Sequence, residues 1–511
     1  MAEPKSRRNA CLIVAVLISP LILSVFVVVA LGAYVVTRET PLRDFFSEKP
    51  DAQEYSEEVI EIREEVAADL DAARKDLEQN FAKLPPECPL PEGWRLETML
   101  KNAWFEVEEE SIRDLTTVAL YSLRGKEEVV RKSWADLTQR LGTATAAGNA
   151  TELEKRFAPN GRSVEDVLAQ FRDYVLQADY LDQLETAIDY GVARYVPERP
   201  FDFEDATERR LRTASKLLVL RVLYALQEND VEGALETCYR IQCLARPEVM
   251  PYAVHWYREY MNNSANRALM LVMSYGGISE PWRERLVQES TKRFEGSDTA
   301  ALLLAQAVAE PDMYDSMPFF NQVQQTNRVF EGVKAGTQIM EPPLVQCRDD
   351  MQALLVEFGV EDFEEEDQSF ISDFFDAMRM NPADLIVGME VEMTLEDAVG
   401  LYRVRFNDEV ARTAFVLEAF YAEHGEYPEK LDTLSPEFLD AVPVDPVFGE
   451  PLGYEHKDEG YNLTLRRKHQ FSWTDDKNDD AGVAITLTGD ETPEFTAVWK
   501  VRKDLFSEEE E

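Results

Sequence analysis

Residues 10–36 read ACLIVAVLISPLILSVFVVVALGAYVV, 27 positions without a charged side chain. A run of this kind has few structural options. As a helix rising about 1.5 Å per residue it is roughly 40 Å long, more than the about 30 Å of a hydrocarbon core, and tilt absorbs the surplus. A buried helix of a water-soluble core is the bland alternative, but no face of the segment is polar. Ser19, Ser24 and Pro20 are tolerable in a membrane helix, where hydroxyls bond back to the backbone. Lys5, Arg7 and Arg8 precede the run, whereas the following flank balances Arg38 and Arg43 with Glu39 and Asp44. The positive-inside rule then predicts a cytoplasmic basic tail at 1–9, a single transmembrane helix at 10–36 and an extracytoplasmic bulk. A cleaved secretory signal competes, with Ala30 and Gly32 as small residues ahead of a cut, but its apolar core usually spans about 7–15 residues.

Charge narrows the partners. The chain holds 98 Asp and Glu against 53 Lys and Arg, a net charge of −45. Nucleic acid binding is excluded on that balance, because phosphate neutralisation needs a basic surface. The expected partners are the membrane, through residues 10–36, and proteins. Hydrophobic residues make up 45 % of the chain, enough for sizeable cores. Outside the apolar run the cysteines are Cys88, Cys238, Cys243 and Cys347. No C-x-x-C occurs, and four cysteines in so large a region are no disulfide framework. Cys238 and Cys243, five apart in a helical pattern, point to different sides; a Cys88–Cys347 bridge is left open.

The pattern beyond the membrane segment is mainly α. Val59, Ile62, Val66, Leu70, Ala73, Leu77 and Phe81 recur at helical spacing, so 45–92 reads as a stalk helix, or one packed on the body, ending in the Pro-rich linker LPPECPLPEG. Residues 93–390 read as a large irregular helical domain. Its clearest unit is an αα-hairpin at 210–246, turned by Glu228-Asn229-Asp230, which resembles one tetratricopeptide unit, although no repeat recurs at a fixed period. EDFEEED at 361–367 is a solvated acidic run, and Ser369 to Met393, rich in Phe and Met, is expected at the junction between domains.

A different character begins near Thr394. It is read as an N-cap, with Glu396 and Asp397 in the first turn. Leu395, Val399, Tyr402, Phe406, Val410, Ala414, Leu417 and Tyr421 then form one apolar stripe, closed by Gly425 and Pro428. The chain continues HGEYPEKLDTLSPEFLDAVPVDPVFGEPLGYE, with Pro443, Asp445, Pro446, Gly449, Gly453 and Tyr454 setting the loop. Alternation then predicts strands around Tyr461–Leu465, Val483–Leu487 and Phe495–Val501, and an acidic tail at 506–511. The long helix, the Gly-x-Tyr-Pro corner and the Pro-x-Asp-Pro loop make 391–505 resemble the globular domain of the type II secretion major pseudopilins. That resemblance implies a small α+β domain of one long helix and an antiparallel sheet. The whole-chain arrangement resembles bacterial single-pass membrane proteins with a helical ectodomain. Two features depart from the pseudopilins. Some 350 residues separate the apolar run from this domain, and the run begins Asn9-Ala10-Cys11 without the Gly and Glu of a prepilin peptidase site.

One loop carries metal-type ligands. TDDKNDDAG at 474–482 offers Asp475, Asp476, Asn478, Asp479 and Asp480, hard oxygen donors suited to Ca²⁺, and the pseudopilin resemblance implies a calcium site in this loop. The spacing is not an EF-hand, since Ala481 and Leu487 stand where Gly and Glu are needed. A solvated acidic turn is the competing reading. Histidines 255, 424, 456 and 469 form no H-E-x-x-H, and no G-x-S-x-G, Walker A or G-x-G-x-x-G occurs. No catalytic residue or organic cofactor is therefore assigned. The expectation is a non-enzymatic, membrane-anchored extracytoplasmic scaffold or partner-binding protein of the bacterial envelope; an envelope hydrolase using acidic residues in a cleft of the helical domain is the alternative.

Overall fold

A computed structural model describes residues 54–102, 132, 134–135, 139, 164–197, 205–251, 255–275, 278–295, 299–309, 322–340, 348–357, 382–439, 441–445, 449–457, 460–464 and 497–502. The expected membrane segment at 10–36 lies outside them, and none of the described helices is long and apolar enough to cross a membrane. The chain divides into two units, Met1–Tyr55 with Pro311–Gln325, and Ser56–Glu310 with Thr326–Glu511. The first falls almost wholly outside the described residues, and the second holds nearly all the described structure.

The described fold is mainly helical with a small antiparallel sheet. In chain order the helices are α1 (Glu57–Ala82), α2 (Leu96–Asn102), α3 (Val164–Leu176), α4 (Asp179–Asp189), α5 (Asp205–Gln227), α6 (Val231–Leu244), α7 (His255–Tyr275), α8 (Glu280–Glu295), α9 (Thr299–Val308), α10 (Gln322–Ile339), α11 (Arg348–Glu357) and α12 (Pro382–His424). The strands β1 (Gly453–Lys457), β2 (Gly460–Thr464) and β3 (Ala497–Arg502) form one antiparallel sheet in the order β1-β2-β3.

Helix α1 starts at Ser56, whose hydroxyl accepts from the Val59 amide. It is not a free-standing stalk. Val66 and Leu70 pack on Ala305 of α9, with Ile62 and Val196 beside them. Polar clamps repeat along its length. Arg63 Nε donates to the Val308 carbonyl at 3.0 Å, Arg74 Nη2 to the Pro197 carbonyl at 2.6 Å, and Arg194 meets Asp76 at 2.6 Å.

The αα-hairpin is α5–α6. Its turn works because Asn229 adopts φ 58° and the Asp230 side chain caps the Gly233 amide at 2.9 Å. A Cβ at 233 would stand 2.3 Å from Asp230 Oδ2, so a larger residue there would push the capping carboxylate aside. Helix α7 packs on both arms of the hairpin.

The expected helix start at Thr394 is corrected. Thr394 is buried inside α12, which already runs from Pro382. Val387, Val391 and Leu395 continue the apolar stripe toward the N-terminus and pack on Val333, Met340 and Met351. Burial of that turn outweighs the local signal of a capping residue. The division at 391 consequently falls within one helix. A single core runs from Trp94 through α3–α8 to Phe406, Phe415, Tyr461, Leu463 and Val501.

The C-terminal corner follows the expected mechanics. Gly425 ends α12 at φ 76°, and Gly449 turns the loop at φ 68°. Tyr427 is buried and donates to Glu418 at 2.7 Å, and Tyr454 donates to the Pro428 carbonyl at 2.7 Å. The β1–β2 hairpin pairs Lys457 with Gly460, and Tyr461 and Leu463 face the core. The strand expected around 483–487 lies outside the described residues.

Candidate functional site

Three helices bring carboxylates and guanidiniums together on one side of the body. Asp182, Glu185 and Asp189 recur at spacings that share one face of α4. Arg221 of α5 donates to Glu185 Oε2 at 3.0 Å and to the Val175 carbonyl at 3.1 Å. Its Nη2 stands 2.7 Å from Asp182 Oδ1 as an ion pair rather than an aligned hydrogen bond. Arg240 of α6 grips Asp189 through two nitrogens, at 3.0 and 2.6 Å, and lies 3.4 Å from Glu185. Glu185 Oε1 is buried without a donor, and burial outweighs the two guanidiniums, so this carboxyl is held above the usual range. Both arginines are spent on locking α3, α4, α5 and α6 together.

A second cluster lies between α6 and α8. Arg246, just past α6, forks onto Glu289, Nε to one carboxylate oxygen and Nη2 to the other. The Glu289 side chain is fully buried, 0 % exposed, and this one guanidinium meets both of its oxygens. The carboxylate in turn raises the Arg246 pKa further above its ordinary range.

Beside the pair, the surface is aromatic and cationic. The Tyr239 and Trp282 rings are 6.2 Å apart. The Arg285 guanidinium stands 3.9 Å from the Tyr239 ring centre and 4.8 Å from that of Trp282. The Trp282 indole N–H donates to Glu232. Tyr239 and Trp282 are half-buried and Arg285 is exposed. Stacked in this way, the three side chains present rigid apolar area with a fixed positive charge, at little further cost in side-chain entropy on contact.

The residues singled out for metal lie elsewhere. Asp475, Asp476, Asn478, Asp479 and Asp480 fall within 465–496, outside the described residues. Among the described residues no group of three or more His, Cys, Asp and Glu side chains is arranged to hold a metal ion. His424 stacks on Phe420 at 4.1 Å, with Nδ1 3.1 Å from the Phe420 carbonyl, and His456 is exposed on β1. Cys88 and Cys238 are free thiols, and burial pushes the Cys238 thiol well above its ordinary range.

The Tyr239–Trp282–Arg285 stack is not legible in the sequence. Tyr239 reads as one more apolar residue of its helix, while Trp282 and Arg285 stand three apart on another. The i, i+3 spacing marks a shared face, but only the packing of α6 on α8 supplies the third member. Comparison with protein-family models, with curated proteins and with solved structures finds no match to the chain.

Proposed function

We propose that this chain is a membrane-anchored extracytoplasmic scaffold or partner-binding protein of the bacterial envelope, held in the lipid by residues 10–36. The observation that carries the binding half of the reading is the Tyr239–Trp282–Arg285 stack. Trp, Tyr and Arg dominate the residues on which protein interfaces depend, and here they converge on one rigid patch of two packed helices. The anchoring half rests on the uncharged run and its basic flank. Support for a role within secretion comes from the pseudopilin-like order of the C-terminal corner, whose Gly425, Tyr427, Gly449 and Tyr454 play the mechanical parts expected of them.

The test is cross-linking in intact cells followed by purification of the full chain from detergent-solubilised membranes. A protein partner should be recovered with the wild type and reduced by roughly tenfold or more with Trp282→Ala, the loss expected of an interface anchor worth about 2 kcal/mol. Recovery of the chain with nothing but itself, or of the same partners at the same level with both proteins, would count against the reading.

The acidic loop at 475–480 belongs to the same proposal as a Ca²⁺ site. Titration of the full chain with Ca²⁺ in a calorimeter should give a heat signal that disappears when Asp476 and Asp479 are changed to Asn. The hydrolase alternative has one observation in its favour, the raised carboxyl of Glu185. Its engagement by Arg221 and Arg240 favours the structural role.

A further inference from the structure

Three arginines between the helices of this body have carboxylate partners: Arg221 has Glu185, Arg240 has Asp189, and Arg246 has Glu289. Arg258 differs. It lies in the first turn of α7, is only 7 % exposed, and its Nε has no acceptor. No described residue offers its guanidinium a hydrogen-bond acceptor or a carboxylate at ion-pair distance. Burial accordingly pulls its pKa down to about 10, and the carboxylate that opposes this, Glu248, sits on an exposed side chain.

Several polar residues on the adjoining turns are amides. Tyr257, the neighbouring residue, donates to the Leu244 carbonyl at 3.2 Å, which fixes the start of α7 beside the end of α6. Two residues before Leu244, Gln242 is fully buried with neither atom of its amide bonded. Along α7, Arg258, Asn262 and Asn266 share one face at spacings of four. Asn262 reaches the Val404 carbonyl of α12 at 3.4 Å, and Asn266 is buried with its Oδ1 unbonded. The start of a helix of 21 residues also concentrates positive partial charge. A buried guanidinium whose Nε lacks an acceptor, set at a helix start, has the chemistry of a receptor for negative charge.

We infer that Arg258, at the N-terminal end of α7, anchors a buried site for a small oxyanion, a carboxylate or phosphate group. The planar guanidinium supplies the charge and a fork of donors. This site is separate from the α6–α8 surface proposed to take a protein, and neither depends on the other.

The experiment is thermal unfolding of the full chain in detergent at constant ionic strength, with chloride replaced stepwise by inorganic phosphate in one series and acetate in another. Wild type should melt at progressively higher temperature in at least one series, as binding to the folded state requires. The series with the larger shift identifies phosphate or carboxylate as the preferred group. Arg258→Met should lose that dependence while remaining folded, and Arg258→Lys, which keeps the charge but not the fork, should retain only part of it. A wild type indifferent to both anions would overturn the assignment, as would Arg258→Met responding like wild type. If Arg258→Met does not fold, the lysine variant decides, and an undiminished response from it would also overturn the assignment.

Discussion

Changing Glu289 to alanine should destabilise the folded protein by about 3–5 kcal/mol, because it strands the Arg246 guanidinium between α6 and α8 without its counter-charge. Both carboxylate oxygens are engaged by that one arginine, and the acid is wholly buried. Removing both charges should cost far less. Arg246→Met combined with Glu289→Leu should recover most of the loss, since an apolar pair of similar volume avoids the desolvation penalty altogether. Chemical denaturation of wild type, the two single variants and the double variant measures this directly. Equal losses in the single and double variants would mean that the pair contributes packing rather than compensated charge. Because α8 also carries Trp282 and Arg285, the Glu289→Ala variant should weaken partner binding as well as stability.

The second large effect concerns the C-terminal corner. Tyr461→Ala should cost about 3–5 kcal/mol, the range for truncating a large buried aromatic. The Tyr461 side chain is 0 % exposed, donates to the Ala414 carbonyl of α12 at 3.3 Å, and lies 4.9 Å from the Tyr427 ring. Its truncation should lower the melting temperature of the helical body too, on the order of 10 °C. The reason is that β2 and β3 share a core with α3–α8 and are tied to them by α12 and α7. Tryptophan fluorescence, to which Trp94 of the helical part contributes, and far-ultraviolet circular dichroism should report one coincident transition in wild type and variant alike. Separate transitions, with only one moved by the substitution, would show the corner to be an independent domain.

That continuity is hidden from sequence reading. The corner itself is legible, because its signals are local: Gly425 and Gly449 occupy positive φ, Tyr427 and Tyr454 reach back to α12 and its end, and Tyr461 and Leu463 alternate inward. The α5–α6 hairpin is legible for the same reason, with a short polar turn and a capping aspartate. Thr394 misleads because a capping residue is a weak local preference. One more apolar turn, Val387 to Leu395, has partners waiting on α10 and α11, and those partners are distant in sequence. The charge clusters are equally invisible. With 98 acidic residues in the chain, carboxylates are too common for spacing to pick a partner for any one arginine, and only three-dimensional placement selects Glu185, Asp189 and Glu289. That no carboxylate among the described residues reaches Arg258 at ion-pair distance, Glu248 acting only from further off, has no sequence signal at all.

The proposed function stands or falls with the topology: a short cytoplasmic tail, one crossing at 10–36 and everything else outside. Protease treatment of intact spheroplasts decides it, with an epitope placed at residue 3 in one strain and after residue 505 in another. The C-terminal epitope should be digested, and the N-terminal epitope should survive on a small fragment that resists alkaline extraction from the membrane. Lysis should expose both. Protection of the C-terminal epitope in intact cells, or recovery of the full-length chain in the soluble fraction with its N-terminal epitope attached, would contradict that topology.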